Sequence, residues 1–524
     1  MKLNYKRIIL VGFAFFLIQA FWQAYDNTIP MILTNKFGMS QAWSGAIMAL
    51  DNVLALFMLP LFGAISDKHH SKWGRRTPFI VVGTLIAAVM LIALSFVDNA
   101  QLKHLSDVSA IDDPAALEQI YDRQADETLL TPGGDKFVLS QKFTQEEFCQ
   151  IRSQVEQNGS TVTNPDYTNY VVPARQACAW DATAKSPVTL VFFIVLLLFV
   201  LVSMAVFRSP AVALMPDVTL KPLRSKANAV INLMGAVGGI LYLALAAVLY
   251  PASRKVAGHV DYQPLFIIVS LIMAVSVLVL VLTVKEKRLS EENRALEKQH
   301  PDWNLAAKDE SGNEVLPKEV KRSLTFLLAS ISLWFIAYNG VTTWFTKYIE
   351  QVMGEGLGGA STCLLVATAG AICSYIPIGA LAAKIGRKRT IQLGVALLTL
   401  CFLLGFVLTC TSTAITPVMY AVFALVGLAW AAINVNSLPM VVEMCRGSDI
   451  GRFTGYYYTF SMVAQVVTPI AAGSLMRAID YRVLFPYAAI FSALSFVTMC
   501  FVRHGDAKAE AKKGLEAFED MDVE

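Results

Sequence analysis

Residues 50–97 read LDNVLALFMLPLFGAISDKHHSKWGRRTPFIVVGTLIAAVMLIALSFV, in which two apolar runs flank a short basic segment. A helix that crosses the roughly 30 Å hydrocarbon core of a membrane needs about 20 predominantly apolar residues. Both runs reach that length, the first by extending back to residue 41. The basic segment contains Lys68, Lys72 and Arg75, and positive charge accumulates in the cytoplasmic loops of membrane proteins. The stretch therefore predicts two membrane-spanning helices joined by a cytoplasmic turn.

The same alternation continues along all 524 residues. Charged residues form only 16% of the chain, against roughly 25% in soluble proteins. The first run follows a basic N-terminus, but it is too long for a signal peptide and further runs follow, so we expect it to be retained. The predicted fold class is an all-α membrane protein with twelve transmembrane helices, near residues 8–33, 41–65, 78–97, 188–215, 227–250, 264–284, 323–350, 360–383, 389–410, 414–442, 452–478 and 483–502.

The distribution of charge predicts the orientation of the chain. If the N-terminus lies inside, clusters of Lys and Arg fall in every predicted cytoplasmic segment, and the short outer loops carry few. This asymmetry predicts that both termini are cytoplasmic. The expected location is the cell (inner) membrane, with the lipid bilayer as the permanent surroundings.

Two polar stretches divide the hydrophobic pattern. One lies between the third and fourth spans and is predicted to face outward; the other, highly charged and with helical spacing, falls at mid-chain. Equivalent loops recur in the two halves, which is typical of parallel repeats about an axis normal to the membrane. The predicted units are an N-terminal bundle at 1–97 and 188–284, an extracytoplasmic insertion at 98–187, a cytoplasmic linker at 285–322, a C-terminal bundle at 323–502 and a cytoplasmic tail at 503–524.

The insertion contains several aromatic residues and is expected to be an ordered cap. Cys149 and Cys178 both lie within it. In an oxidising outer compartment these two could form a disulfide. Two free thiols are the alternative, because a single pair of cysteines permits no test of a pattern.

The segments GAISDK at 63–68 and GRR at 74–76 resemble the signature that the major facilitator superfamily carries between its second and third spans. A weaker echo, GALAAKIGRK, stands at 379–388. The spacing from Asp67 to Gly74 is longer than in that signature, and Pro-Phe follows at 78–79. Both features are similar to glycoside–pentoside–hexuronide:cation symporters and sucrose transporters. The resemblance implies two six-helix bundles that move a small polar solute by alternating access.

The same resemblance bears on the coupling ion. The melibiose-permease branch of these symporters has two acids in the second span that serve its cation site. Ala55 and Leu59 occupy the matching positions in this chain, which disfavours a sodium site of that kind. The sucrose branch is the better analogy, so the expected co-transported cation is H⁺.

Ionisable groups at membrane depth are costly and need a partner or a watery cavity. Asp51 lies about ten residues into the second span, roughly 15 Å deep at the helical rise. Asp26 lies near the outer end of the first span, and Arg208 late in the fourth. Either acid could bind the coupling proton, with Arg208 as an alternating partner. The alternatives are acids that only lock helix packing, and an arginine that reaches the cytoplasmic interface.

Sugars are bound by amide and hydroxyl groups together with aromatic platforms, in pockets that are otherwise largely apolar. The spans contain several such side chains. A single aromatic residue is more often packing or interfacial belt than a ligand contact. The candidate substrate-binding residues are Gln23, Asn27, Asn232, Trp334, Tyr338, Asn339, Trp430, Asn434 and Gln465.

The loop residues at the cytoplasmic face are predicted to act in gating rather than in solute binding. They could form ion pairs between the bundles that hold one state and break on rocking. The alternative is that they only direct membrane insertion. The candidates are Gly63, Asp67, Gly74, Arg75, Arg76, Asp217, Arg224, Lys384, Gly386, Arg387, Glu443 and Arg452.

Sequence motifs of nucleotide-binding, hydrolytic and metal-dependent enzymes are missing. We therefore expect no enzymatic activity, no cofactor and no metal, and an ion gradient as the energy source. The expected function is sugar or glycoside:proton symport by a monomer with no nucleic-acid partner. The alternatives are a uniporter or carrier of a non-sugar solute in the same fold, and a transport-inactive membrane receptor that works through the insertion.

Overall fold

The protein's structure is a computed structural model that describes residues 4–132, 134–157, 160–220, 224–250, 260–299, 318–412, 414–444 and 450–505. Most of the predicted tail and residues 300–317 of the predicted linker lie outside these residues. The described residues include twelve helices that are long and apolar enough to cross a membrane. The predicted fold class is therefore confirmed.

These helices, called spans 1 to 12, have the following bounds: Tyr5–Met31 continued by Ile32–Lys36, Gln41–Met48 with Leu50–Lys68, Thr77–His104, Val188–Val218, Arg224–Leu249, Gln263–Thr283, Lys318–Met353, Leu357–Ile385, Arg387–Thr411, Pro417–Glu443, Ile450–Ala478, and Leu484–Cys500 preceded by Tyr481–Val483. The described part of the linker forms the helix Glu286–Gln299. Span 3 ends at His104 rather than at residue 97 because Asp98, which was expected to begin the polar insertion, is buried in an ion pair with Lys36 of span 1.

Two apolar cores divide the membrane part of the molecule. Spans 1–6 surround the first, with span 1 against span 5 and span 3 against span 4. Spans 7–12 surround the second, with span 8 against span 10 and span 7 against spans 11 and 12. The N-terminal and C-terminal bundles meet where span 2 packs against span 11, span 5 against span 8 and span 1 against span 7. A cavity between the two halves is thus built from the faces of these spans.

The insertion is a folded unit with its own small apolar core, as its aromatic content predicts. Because span 3 runs to His104, the folded insertion covers residues 105–187. Its longer helices are Pro114–Gln124 and Val172–Lys185, and its strands form two antiparallel hairpins, Thr128–Leu130 with Lys136–Val138 and Gln154–Gln157 with Ser160–Thr163. The membrane face that carries the insertion is called the insertion side below, and the opposite face, which carries the 69–76 loop, the basic side.

The possible disulfide between Cys149 and Cys178 is not formed. Both are free thiols; Cys178 is buried in the core of the insertion and Cys149 packs at its margin. Burial raises the pKa of the Cys178 thiol to about 11, so the thiol is protonated at neutral pH. Apolar packing rather than a cross-link therefore holds the insertion together.

Candidate functional site

A cavity of about 220 Å³ lies between the two bundles. Spans 1, 2 and 4 form one wall and spans 7, 10 and 11 form the other. The wall of the N-terminal bundle carries the charged groups, and the wall of the C-terminal bundle carries aromatic, amide and hydroxyl groups. The lining residues are Trp22, Gln23, Asp26, Met48, Asp51, Asn52, Arg208, Phe335, Tyr338, Asn339, Thr342, Thr343, Trp430, Asn434, Gln465 and Pro469.

The charged wall holds both candidate acids and the candidate arginine. Asp26 of span 1, Asp51 of span 2 and Arg208 of span 4 all line this wall. Within the described residues Arg208 forms no ion pair with either acid in this arrangement, and its role as an alternating partner stays a prediction. Its guanidinium carbon lies 5.6 Å from the ring centroid of Trp22, a cation–π distance. The indole therefore holds the guanidinium beside the carboxylates without neutralising them.

Asp51 lies two residues after Ala49, a one-residue irregularity in span 2. Ala49 keeps right-handed helical dihedrals, and the Val53 N–H donates to its carbonyl over 3.1 Å, so the helix continues through this point. The Tyr25 hydroxyl of span 1 donates to the Met48 carbonyl over 3.3 Å. Asn52 donates from Nδ2 to Asp51 Oδ1 over 2.9 Å. The Asp51 carboxylate thus lines the cavity with Asn52 as a hydrogen-bond partner.

The opposite wall contains an aromatic platform. The rings of Tyr338 and Trp430 stack with centroids 3.7 Å apart and an interplanar angle of 5°. Beside them, Asn339 Nδ2 and Asn434 Oδ1 are buried without a hydrogen-bond partner among the described residues. Buried polar groups are normally satisfied, and an unmade hydrogen bond costs about 1–3 kcal/mol. These amides are therefore suited to hydrogen-bond a solute that lies on the platform.

The structure brings together nine of the twelve residues predicted for coupling and solute binding. Three lie elsewhere. Trp334 is fully buried in the C-terminal bundle, and Asn232 is buried in span 5. Asn27 accepts from Thr346 Oγ1 over 2.9 Å and so joins spans 1 and 7 outside the cavity. Spans 1 and 7 do line the cavity, but Asn27 and Trp334 lie on neighbouring faces of these helices, whereas span 5, which carries Asn232, contributes no lining residue among those described.

Several lining residues were not among the sequence-based candidates. Trp22 lies one helical turn before Asp26, and Asn52 directly follows Asp51, so proximity to an acid was an available signal for both. Span 7 carries Phe335, Thr342 and Thr343 on the same helical stripe as Tyr338 and Asn339. Assigning one of these residues to the cavity therefore predicts the others from the helical period. Met48 and Pro469 have no comparable signal.

Arg76 does not form the predicted gating ion pair between the two bundles. Its guanidinium pairs with Asp67 of span 2 and, over 2.9 Å, with Asp217 of span 4, both in the same bundle. Burial lowers the pKa of Arg76, but the bonds to Asp217 and Asp67 outweigh that effect and raise the pKa above its usual value. Arg76 is thus a permanent cation that ties the basic ends of spans 2, 3 and 4 together. The side chains of Arg224, Glu443 and Arg452 lie outside the described part of the chain.

The structure explains why the signature loop has a glycine at position 74. Gly74 has φ +121°, and a Cβ there would lie 2.3 Å from the Glu286 carboxylate. That carboxylate accepts from the backbone N–H of Arg75, Arg76 and Thr77 over 2.6, 2.9 and 2.8 Å. Glu286 of the linker helix therefore caps the N-terminus of span 3, a contact that the sequence did not reveal. At the equivalent turn after span 8, Gly386 has φ +93°, while Lys384 is exposed and Arg387 begins span 9.

The cavity is closed toward the insertion side. A Cβ on Gly45 of span 2 would lie 2.2 Å from the Pro469 carbonyl oxygen of span 11. Gln41 donates to the Tyr481 hydroxyl across the same boundary. Asn35 of span 1 donates to Glu350 of span 7 over 2.7 Å, and Lys347 donates to Asn35. Backbone contact and buried polar bonds thus seal the two bundles at this end.

Comparison with known proteins agrees with this architecture. The family model of the Major Facilitator Superfamily matches residues 177–401 and 356–520, which is more than half of the chain. The model described as MFS/sugar transport protein matches residues 10–104. Among solved structures, the xylose transporter XylE from E. coli in an inward-open conformation has a TM-score of 0.56 at 12% identity, covering 98% of this chain and 99% of that one. A mutant of the nucleoside transporter NupG has a TM-score of 0.57 at 12% identity, covering 95% and 100%.

The curated relatives match over short segments. The Arabidopsis thaliana sucrose transport protein SUC3 is 39% identical over 67 residues, which are 13% of this chain and 11% of the relative. Sucrose transport protein SUC4 of the same plant is 36% identical over 59 residues, 11% of this chain and 12% of the relative. The solved structures show only the common fold at these identities. The family model, the twelve spans and the cavity between two bundles together establish that this chain is a multi-pass membrane transporter of the Major Facilitator Superfamily, and not an enzyme.

Proposed function

We propose that the protein is a sugar or glycoside:proton symporter that works by alternating access. One observation carries this proposal: the cavity between the bundles combines two kinds of wall. One wall has two carboxylates and a guanidinium, and the other has a stacked aromatic platform beside amides that lack a hydrogen-bond partner among the described residues. The first wall has the chemistry of proton binding, and the second has the chemistry that sugars require. The match to the sugar-transport family model and the short matches to sucrose transporters favour the same class of solute.

The charge of the cavity suggests how a proton would be coupled. Asp26, Asp51 and Arg208 are its only carboxylate and basic lining residues among those described, so with all three ionised the net charge is −2 + 1 = −1. One bound proton brings the net charge to zero. A residual charge in a closed, poorly hydrated cavity costs several kcal/mol. We therefore infer that the loaded carrier exchanges openings with one proton and one solute bound, because a neutral cavity closes at lower cost than a charged one.

The solute would lie against the C-terminal bundle. Its apolar ring face would stack on Tyr338 and Trp430, and its hydroxyls would bond Asn339, Asn434 and Gln465. From there it could also contact the charged wall and so favour one protonation state of the acids. The solute and the proton would thus occupy neighbouring parts of one cavity.

The decisive experiment uses purified protein in proteoliposomes with an imposed pH gradient and a panel of mono- and disaccharides, glycosides and nucleosides. We expect uphill uptake of at least one sugar or glycoside, abolished by a protonophore. Uptake that only equilibrates, whatever the gradient, would show a uniporter. Uphill uptake restricted to nucleosides would contradict the proposed solute class.

Variants of the acids test the coupling itself. Asp51→Asn should abolish uphill uptake but keep counterflow exchange of labelled solute, because exchange needs bundle movement without proton release. Asp107→Asn, on the surface of the insertion, is the matched control and should retain both activities. Loss of counterflow together with uphill uptake in Asp51→Asn, with unchanged thermal stability, would assign the carboxylate to solute binding rather than to coupling.

A further inference from the structure

The insertion touches both bundles at the closed side of the molecule. Its two ends continue directly into spans 3 and 4, so it belongs to the N-terminal bundle. The tip of its first hairpin, however, reaches the C-terminal bundle, where the Tyr481 N–H donates to the Pro132 carbonyl over 3.1 Å. At Gly134 a Cβ would lie 1.9 Å from the Ile479 carbonyl oxygen, so the two backbones are in direct contact.

A second bridge passes through Asn35 of span 1. Its amide oxygen accepts from Gln176 of the insertion over 3.0 Å and from Lys347 of span 7. Its Nδ2 donates to Glu350 of span 7, which is ion-paired with Lys347 over 2.6 Å. All members of this junction except Gln176 are buried, so their bonds are largely shielded from water. One side chain thus connects the insertion, the N-terminal bundle and the C-terminal bundle.

The insertion is held firmly on its own bundle. At Gly38, beyond the end of span 1, a Cβ would lie 2.3 Å from the Trp180 backbone nitrogen. Gln101 of span 3 donates to Thr183 Oγ1 of the insertion over 3.0 Å. A crevice of about 220 Å³ opens between the insertion and the C-terminal bundle, with Asp135 on one side and Asp480 on the other. The contact between the insertion and the C-terminal bundle is therefore interrupted by this crevice.

We propose that the insertion is a strap, residues 105–187, which holds the two bundles together on the insertion side and must release the C-terminal bundle each time the cavity opens there. The inference rests on the proposed alternating-access cycle. Separation of spans 1 and 7 at this side necessarily breaks the Pro132–Tyr481 bond and the Asn35 junction, because each joins parts that move apart. The insertion is then part of the gate, and its grip sets how often the cavity opens on that side.

The test follows access to the cavity and needs no solute. A reporter thiol is introduced by Thr343→Cys, at a residue that lines the cavity. A membrane-impermeant maleimide is applied to sealed vesicles whose insertion faces outward, and labelling at position 343 is quantified by peptide mass spectrometry, which separates it from the native thiols. Adding Gln176→Ala should raise the labelling rate about fivefold, the ratio expected from the loss of one hydrogen bond.

Gln145→Ala is the matched control. This glutamine also lies in the insertion, but it donates to Asp122 over 3.0 Å and to Glu118 over 3.4 Å, both within the insertion. It should leave the labelling rate unchanged. If Gln176→Ala leaves the labelling rate at position 343 unchanged, the role of Gln176 is overturned. If Gln176→Ala and Gln145→Ala raise that rate equally, the insertion has loosened generally and no strap has been released.

A cross-link tests release directly. The 3.1 Å backbone bond brings the Cα atoms of Pro132 and Tyr481 within the roughly 7 Å that a disulfide requires. In Pro132→Cys/Tyr481→Cys, oxidation should reduce labelling at position 343 to background, and reduction should restore it. The pair Thr128→Cys/Val138→Cys, which are opposite partners within the hairpin, should form a disulfide without this effect.

The outcomes separate the strap from the cycle. Labelling that persists in the fully oxidised Pro132–Tyr481 pair overturns the strap and leaves alternating access intact. The other outcome concerns the reduced protein. If the thiol introduced by Thr343→Cys is then never labelled from the insertion side but reacts from the basic side, both alternating access and the strap are contradicted.

Discussion

At the scale of single residues, the cavity separates two kinds of chemistry. Asp26 and Asp51 stand with Arg208 on the N-terminal bundle, whereas Tyr338 and Trp430 stack on the C-terminal bundle. Movement of one bundle against the other therefore changes the distance between the ionisable groups and the platform. Such a division allows the charge state of one wall to alter the fit of a solute on the other.

The stacked platform leads to a prediction about affinity. Trp430→Ala removes one ring of the pair, and aromatic contacts of this kind contribute about 0.5–1.5 kcal/mol beyond buried area. We expect KM for the transported sugar to rise by up to about tenfold, with kcat changed less. Trp43→Ala, at an exposed tryptophan outside the cavity, should leave KM unchanged. An unaltered KM in Trp430→Ala would remove the platform from the binding site.

At the scale of elements, buried ion pairs fix the ends of the spans. Lys36 and Asp98 form a pair over 2.6 Å with both side chains fully buried, joining span 1 to span 3. The Lys36 ammonium also lies 4.9 Å from the centroid of the Tyr262 ring, just before span 6. Three helices of the N-terminal bundle thus meet at one cation.

Breaking this pair should destabilise the bundle strongly. Asp98→Ala leaves a buried ammonium without its counter-ion, which costs about 3–5 kcal/mol. The double variant Lys36→Met/Asp98→Leu removes both charges and should recover much of that loss. Thermal unfolding in detergent, followed by thiol-reactive dye or light scattering, measures the difference. A double variant no more stable than Asp98→Ala would show that the pair contributes through geometry rather than charge.

The linker helix provides a matched pair of carboxylates. Glu286 caps span 3 through three backbone N–H groups, whereas Glu292 makes an exposed bond to Arg288 over 2.7 Å. Glu286→Ala should lower the free energy of unfolding by about 1–2 kcal/mol, the usual cost of a lost helix cap. Glu292→Ala should cost less than about 1 kcal/mol, as expected for an exposed pair. Equal effects on the unfolding midpoint would contradict the capping role.

At the scale of the whole molecule, the described arrangement has the bundles in close contact at the insertion side. Spans 2 and 11 approach so closely there that glycine is required at the contact. Transporters that alternate must reach a second arrangement in which this contact opens. The balance between the two arrangements is therefore sensitive to the volume of side chains at this boundary.

A substitution at the boundary should shift that balance. A Cβ at position 45 meets the Pro469 carbonyl at 2.2 Å, so Gly45→Ala should disfavour the state closed on the insertion side. Labelling of the Thr343→Cys reporter from that side should then increase. Gly356→Ala, where a Cβ meets nothing within 4 Å, is the control and should not change labelling. A reduced rate in Gly45→Ala would mean that the contact is not part of the closed gate.

Most of the architecture was predictable from the sequence, for a physical reason. A chain in lipid must satisfy its backbone hydrogen bonds within each segment, so apolar length alone reveals helices and their number. The cost of charge in the same environment singles out Asp26 and Asp51. Accordingly, the twelve spans and the acids of the cavity follow from local sequence.

Only the tertiary structure decided which face of each helix lines the cavity and what the loops contact. Phe335, Tyr338 and Asn339 share one stripe of span 7, and Trp334 lies beside it, yet the period of the helix permits either stripe to face inward. Rotation of a span is set by its neighbours, which the sequence does not name. The Glu286 cap and the Pro132–Tyr481 bridge join residues more than 200 positions apart, and such pairings arise only when the packed chain brings them together.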